Sequence, residues 1–383
     1  MAARASCPDE PFDVSLVPAA ALSAADLAAW DALAAASASA NVFARPWFLR
    51  QSLRHFDAAG NARLAIVRGA GGAWIGVAPL VFARRYGRAV LPHWALWRHA
   101  NQFVGTPLVR AGCEAGFWRA LLAHLDGAIP RGSALRVFDL PLDEHANEAL
   151  FAVCGEQRRE FRADRRFKRA MLDCANAPEG AVKPRERRRL ASLRRKLVRE
   201  VGPVEFSGLC GDADVPALAK RFLELENSGW KGRQGCSLSS GEDTCAFFAA
   251  VMSEAAREGA LDVLSLSAGG RVIAMSTHFV GPLRGFGFKM AFDEDYASYA
   301  PGLLLLDELT RRFRDMHVTA VDSCSAPGQQ PVSRMWPGRR ELVDGRVALG
   351  GPLRRAAFRA LGTIEDLRRK SRAGTPGENR AAA

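Results

Sequence analysis

Long apolar runs are missing from this chain of 383 residues. None approaches the roughly 18 residues that a membrane-crossing helix needs. The opening MAARASCPDEPFD lacks the apolar segment of a secretory signal, which predicts a cytoplasmic protein. No C-x-x-C pair occurs. The eight cysteines, Cys7, Cys113, Cys154, Cys174, Cys210, Cys236, Cys245 and Cys324, are scattered. That scatter argues against a zinc cluster and a disulfide framework, and predicts reduced, mostly buried thiols. There is no G-x-S-x-G elbow, no H-E-x-x-H helix and no G-x-x-x-x-G-K-[ST] loop, which removes those hydrolase, metalloprotease and P-loop templates. The seven histidines (His55, His93, His99, His124, His145, His278 and His317) show no ligand spacing, so no metal is expected. His278, on an expected central strand, reads as a satisfied core histidine.

What is present supports two domains of ordinary size. The apolar fraction is 48%, and 383 residues can bury two cores. The net charge of +12 is concentrated: residues 158–200 hold 16 Lys and Arg against 6 Asp and Glu. Within this segment PRERRRLASLRRKLVRE places Leu190, Leu193 and Leu197 at helical spacing with Arg elsewhere, a basic amphipathic helix. It reads either as a surface for an anionic partner such as tRNA, lipid or cofactor phosphates, or as a solvated helix linking two halves. Aromatics able to stack on bases are scarce in it, Phe161 and Phe167 only.

The first half predicts an Ala-rich helix capped by Ser23, a helix over 41–56, and strands at 64–67, 74–82 and 135–140. Trp94, Trp97 and Trp118 read as packing, with a contribution to a substrate groove as the alternative. The second half begins near Val204, with helices over 216–227 and 243–258 and a strand meander over 261–267, 271–280 and 285–292. LAIVRGAGGAWIGVAPLVF and LDVLSLSAGGRVIAMSTHFV share a strand, small-residue turn, strand order, which hints at internal duplication. A short strand near 346–349, a last helix over 353–370 and a polar tail complete the reading.

The stretch 289–322, KMAFDEDYASYAPGLLLLDELTRRFRDMHVTAVD, carries the chemistry. A strand ends at Phe292, a polar loop follows, and Pro301-Gly302 opens an amphipathic helix. Proline suits a first helical position. The amides of Gly302, Leu303 and Leu304 are then expected to lack intrahelical partners at the positive end of the dipole, a candidate phosphate site. Gly302 permits close approach. An ordinary strand–helix junction is the alternative.

The run K-x-A-F-D-x-x-Y-A-x-Y-A-P-G-x-L-L-L, the later D-S-C, the segment Leu223-Glu224-Leu225-Glu226-Asn227-Ser228-Gly229-Trp230-Lys231-Gly232 and Met335-Trp336 resemble GNAT-superfamily acyltransferases of the CelD/FemAB-like type. The resemblance spans roughly 40–350. Ala300 stands where that family often has Ser, so a side-chain N-cap is missing. The resemblance implies an α+β fold of tandem GNAT-like units, each a mixed, mostly antiparallel sheet flanked by helices. The expected division is 1–175, a basic linking helix 176–203, 204–352 with the acyl-CoA site, and 353–383 as helix and tail. It also implies direct transfer from acetyl-CoA or another acyl-CoA to a small-molecule amine, without a covalent intermediate. On that reading Ala300, Pro301, Gly302, Leu303 and Leu304 hold the pyrophosphate. Asp293 positions or deprotonates the acceptor, or merely caps a loop. Lys289 pairs with a phosphate or with Asp322. Tyr299, like Tyr296, serves as an acid or packs on the helix start. Trp230, Lys231, Asp322 and Trp336 fall on the acceptor side, with lid packing as the alternative for the tryptophans. Two other functions stay open: an aminoacyltransferase using charged tRNA at 158–200, and a non-enzymatic accessory protein of exopolysaccharide synthesis.

Overall fold

The fold was obtained as a computed structural model that describes residues 12–86, 91–175, 184–209, 213–316, 318–356, 358–360 and 362–363. Its strands are β1 (Asp13–Pro18), β2 (Arg63–Arg68), β3 (Trp74–Ala83), β4 (His93–Leu96), β5 (Leu108–Val109), β6 (Ala134–Pro141) and β7 (Phe161–Asp173) in the first half. The second half supplies β8 (Val204–Gly208), β9 (Leu261–Ala268), β10 (Arg271–Val280), β11 (Arg284–Phe292), β12 (Ala320–Asp322) and β13 (Gly338–Ala348). The helices are α1 (Ala24–Ala36), α2 (Pro46–Phe56), α3 (Glu114–Gly127), α4 (His145–Glu156), α5 (Pro184–Glu200), α6 (Val215–Ser228), α7 (Trp230–Arg233), α8 (Glu242–Arg257), α9 (Pro301–Asp315) and α10 (Val332–Met335).

Local signals explain most of these elements. Ser23 caps α1 in a capping box with Asp26, and the Asp214 carboxylate accepts the Ala217 amide at the start of α6. Gly269 and Gly270 take φ of 56° and 80° between β9 and β10, a two-residue turn that requires positive φ at both positions. In α5, Leu190 and Leu197 are buried and Leu193 is half-buried, and the basic side chains face outward.

One mixed sheet runs β1-β2-β3-β4-β6-β13-β7-β12-β11-β10-β9-β8, with β5 pairing β3. Its two ends repeat one plan. β1 to β4 form an antiparallel meander followed by parallel β6. β8 to β11 form the same meander followed by parallel β12. The strand–turn–strand likeness seen in the sequence falls on β2–β3 and β9–β10, equivalent places in the two meanders. The fold is thus α+β, a large mixed sheet flanked by helices.

The centre is built by exchange. β13, from the end of the chain, lies between β6 and β7 of the first half, and β7 lies between β13 and β12. This is where the sequence reading departs most. The strand expected at 346–349 runs from Gly338 to Ala348, and β7 had no expected strand at all. Both carry arginines at positions that alternate as apolar residues would: Arg169, Arg340 and Arg346 are 3%, 1% and 2% exposed. Cys113 is disulfide-bonded, against the expectation of reduced thiols throughout. The expected helix over 353–370 and the tail lie largely outside the described residues.

Paired carboxylates make those buried arginines tolerable. Asp322 accepts two hydrogen bonds of 2.5 Å from Arg169 and one of 2.8 Å from Arg340. Arg340 also donates to Asp143 at 2.9 Å and to Glu144 at 2.7 Å, and Arg169 donates to the Phe103 carbonyl. Burial opposes the Asp322 charge, but Arg169 and Arg340 outweigh it and hold the carboxyl at about 2. Its contribution to stability is therefore complete above the unfolded carboxyl value near 4 and is lost as pH falls through about 2. Asp322→Ala should leave the buried Arg169 guanidinium without a carboxylate among the described residues, take one of three from Arg340, and cost about 3–5 kcal/mol, read as a lower urea midpoint. A loss under 1 kcal/mol would show that the seam does not depend on this charge.

Candidate active site

The parallel strands β11 and β12 pair only at Arg284–Ala320, Gly285–Val321 and Phe286–Asp322. β12 then ends. The Ser323 amide turns to the Ala170 carbonyl, and Cys324 takes a φ of 51°. At Gly287 the two chains are still close, since an added Cβ would lie 2.5 Å from the Ser323 carbonyl oxygen. From Lys289 to Phe292, β11 pairs with β10 alone among the described residues, which leaves its other edge without a partner strand. Consecutive β10 residues Thr277 and His278 pair with Lys289 and Gly287, so Phe288 is the extra residue of a bulge on β11.

The helix that follows closes one end of the opening. Ala300 adopts the left-handed conformation (φ 50°, ψ 55°), and no side chain caps α9. The amides of Leu303 and Leu304 both bond the Ala300 carbonyl, at 2.9 and 3.2 Å. The expectation of three open amides is thus reduced to one, because the N-cap carbonyl accepts the first helical bonds. Among the described residues only the Gly302 amide at this end has no partner, Pro301 having no N–H. A Cβ on Gly302 would meet the side chains of Phe292 (3.5 Å) and Met290 (3.7 Å), so the start of α9 packs on the end of β11.

The opposite side of the opening is a seam between the two halves. Lys289 donates to the Asn101 side-chain oxygen at 2.7 Å and lies 5.7 and 5.5 Å from the Phe103 and Phe288 rings. Burial lowers its ammonium to about 8; Glu226 opposes that shift and Lys231 adds to it. Glu226, 5% exposed, accepts from Lys231 at 2.6 Å and from the Leu238 amide at 2.8 Å. His99 stacks on Phe56 at 4.4 Å, bonds the Ser52 hydroxyl at 3.0 Å, and is pushed down to about 3 by burial and then by Lys289. It is a neutral wall.

The other expected residues scatter. Asp293 is 6% exposed, accepts from Arg271 at 2.6 Å and from the Asp295 amide, and so is already occupied as a loop cap. Tyr299 donates to Glu200 at 3.1 Å under the Lys196 ammonium, and burial raises its hydroxyl above the usual value. Asp322 is saturated by arginines and does not touch Lys289. Trp336, 2% exposed, donates to the Thr310 hydroxyl within the core beneath α9. Trp230 is 48% exposed at the start of α7, and its amide bonds Glu294, which also accepts from Arg233. The structure therefore gathers Lys289, Lys231 and the Gly302 end of α9 around one opening, with Trp230 tied to the turn before α9. Asn101, Glu226 and His99 were not singled out. Glu226 sits inside the LELENSGWKG run, but nothing local marks Asn101, which arrives from 188 positions away.

Residues 184–328 match the family model described as an acetyltransferase (GNAT) domain. No curated protein matches the chain. A conserved protein of unknown function from Bacteroides thetaiotaomicron VPI-5482 is similar in fold, with a TM-score of 0.55 at 13% identity over 88% of this chain and 100% of that one. FemX is similar to the same degree, with a TM-score of 0.55 at 12% identity over 85% of this chain and 97% of its own. At such identities the likeness is one of fold, and it extends over both halves.

Lys289 carries a burial penalty while charged, because its folded value near 8 lies below the ordinary 10.5. Stability should therefore rise with pH between about 8 and 10.5. Lys289→Met should be more stable than the parent at pH 7 by on the order of 1–2 kcal/mol, with the gap closing by pH 10, in urea unfolding. Equal stability at both pH values would place the ammonium in water.

Proposed function

Taking residues 184–328 as an acetyltransferase (GNAT) domain, we propose that the protein is an acyl-CoA-dependent N-acyltransferase that transfers directly to the amine of a small molecule or polysaccharide precursor. The observation that carries the reading is the open edge of β11 over Lys289–Phe292, which ends at the free Gly302 amide. The donor's pantetheine arm, an amide-bearing chain, would extend β11 as a short strand. Its pyrophosphate would meet the Gly302 amide at the positive end of α9.

The thioester then lies beside Lys289. The acceptor amine enters from the seam between Asn101, Glu226 and Trp230. Attack of the neutral amine on the carbonyl forms a tetrahedral oxyanion, which an open β11 amide and the Lys289 ammonium stabilise. The amine proton must leave as the thiolate departs. As the C–S bond breaks, the Lys289 ammonium, with its value near 8, gives a proton to the departing thiolate, and the neutral amine so formed takes the proton of the attacking nitrogen; Asn101 fixes its direction. Asp293 is given no catalytic part because Arg271 already occupies it. Lys231 and Glu226 form the wall against which the acceptor is placed.

One observation favours a second reading, transfer of an aminoacyl group from charged tRNA. The exposed side of α5 carries Arg185, Arg187, Arg188, Arg194 and Arg195, and FemX shares the fold. A thermal-shift panel separates the two. An acyl-CoA at about 100 times its dissociation constant should add roughly 2.7 kcal/mol of stability and raise Tm by several degrees. Gly302→Val should fold, since its side chain meets only Phe292 and Met290, yet bind acyl-CoA at least tenfold more weakly. Unchanged binding would put the phosphate site elsewhere. A shift with aminoacylated tRNA alone would favour the second reading, and no shift with either would favour an accessory role.

A further inference from the structure

Three arginines stand in a row across the centre of the sheet. Arg136 on β6 is directly opposite Arg346 on β13, which is directly opposite Arg162 on β7. Direct cross-strand partners share a face, and like charges so placed repel. Arg346 is offset by Asp164 at 2.8 Å, and Arg162 donates to the Gly362 carbonyl at 2.7 Å and has Glu160 at 3.9 Å. Arg136 has none of this. It has no hydrogen bond or ion pair among the described residues, and its Nε is buried without a partner.

Its geometry is nonetheless fixed. The Arg136 guanidinium lies 4.6 Å from the Tyr86 ring and 4.7 Å from the Phe138 ring. Arg98 covers Phe138 at 4.2 Å, and Arg346 lies 4.7 Å from Tyr86. Stacking on two rings holds the guanidinium plane while leaving its donor edge unused. A half-buried, oriented fork beside two further guanidiniums is what a bidentate oxyanion needs. Arg98 bonds Asp139 and Arg165 bonds Asp344, so the neighbouring charges are balanced and Arg136 supplies the excess.

We infer that Arg136, set between Tyr86 and Phe138 and facing Arg346, is an oxyanion-binding site for a phosphate or carboxylate group of the acceptor. The placement deepens the acyl-transfer reading and rests on it only for calling the ligand the acceptor. The same loop carries Arg98, stacked on Phe138, and Asn101, which holds Lys289. Three residues of chain span at most about 11 Å, so an extended molecule on the order of 20 Å long reaches from Arg136 to Lys289. An acceptor anchored in this way carries its reactive amine at one end and its anionic group at the other.

The full chain is tested by thermal shift with pyrophosphate, with glutarate and, separately, with acetyl-CoA. Pyrophosphate or glutarate should raise Tm by several degrees at saturation, and whichever acts identifies a phosphate- or carboxylate-bearing acceptor. Arg136→Met should lose at least tenfold in apparent affinity for that anion. Without anion its Tm should stay close to the parent's, because the loss of the two ring contacts is offset by the removal of a repulsion. Arg136→Lys keeps the charge but not the fork, should also lose about tenfold, and is read alone if the Met variant does not fold. Both variants should keep the acetyl-CoA shift. If acetyl-CoA fails on the parent while the anion shift stands, the donor reading falls and this site remains. The inference is overturned if neither anion acts on the parent, if the variants retain the anion shift, or if Arg136→Met melts several degrees lower with that shift intact.

Discussion

Asp322 and the two guanidiniums that grip it, Arg169 and Arg340, fix the middle of the sheet. Each of the three comes from a different strand, and β7 and β13 each cross from their own half into the pairing of the other. Apolar side chains there would pack in several registers. A charge that must meet two others in a dry seam tolerates one, since an uncompensated ion at this depth costs several kcal/mol. The network extends through Arg340 to Asp143 and Glu144, and Asp143 accepts from Arg284 at the start of β11. The strand bearing Lys289 is thus held by the same ion cluster that joins the halves.

That fixed register is what makes an opening useful. β12 stops after three pairs with β11, so the edge beyond it stays open without unravelling the sheet. The first half then supplies what the second lacks: Asn101 for the Lys289 ammonium, the Phe103 ring beside it, and the Phe103 carbonyl for Arg169. Neither half alone supplies these contacts. The two ends of the sheet repeat one meander, but the sequence has no Pro-Gly helix start after β4 to match the one at α9.

Elements governed by local rules were legible in the sequence. Ser23 and the Gly269-Gly270 turn announce α1 and the β9–β10 hairpin, and Pro301 marks the start of α9 to the residue. The central strands were not. In FRADRRFKRAMLD and GRRELVDGRVA buried Arg169, Arg340 and Arg346 interrupt the apolar positions, so the alternation that marks a strand is broken. The site was legible in part. Lys289 and Gly302 lie in one motif, whereas Asn101 is distant in sequence and has no motif of its own. Asp293, Asp322 and Trp336 drew notice as polar or aromatic residues near that motif, but the fold uses them for a cap, the seam and the core. Charge near a motif indicates a demand for a partner, and only the fold says whether that partner is protein or ligand.

The central claim is that an acyl-CoA lies along the open edge of β11 and against the start of α9. Amide hydrogen exchange of the full chain, with and without saturating acetyl-CoA, tests it at residue level. The account predicts slowed exchange concentrated in Lys289–Phe292 and at Gly302, with the amides of β8 and β9 unchanged. Protection confined to other segments, or no protection in these despite binding, would contradict it.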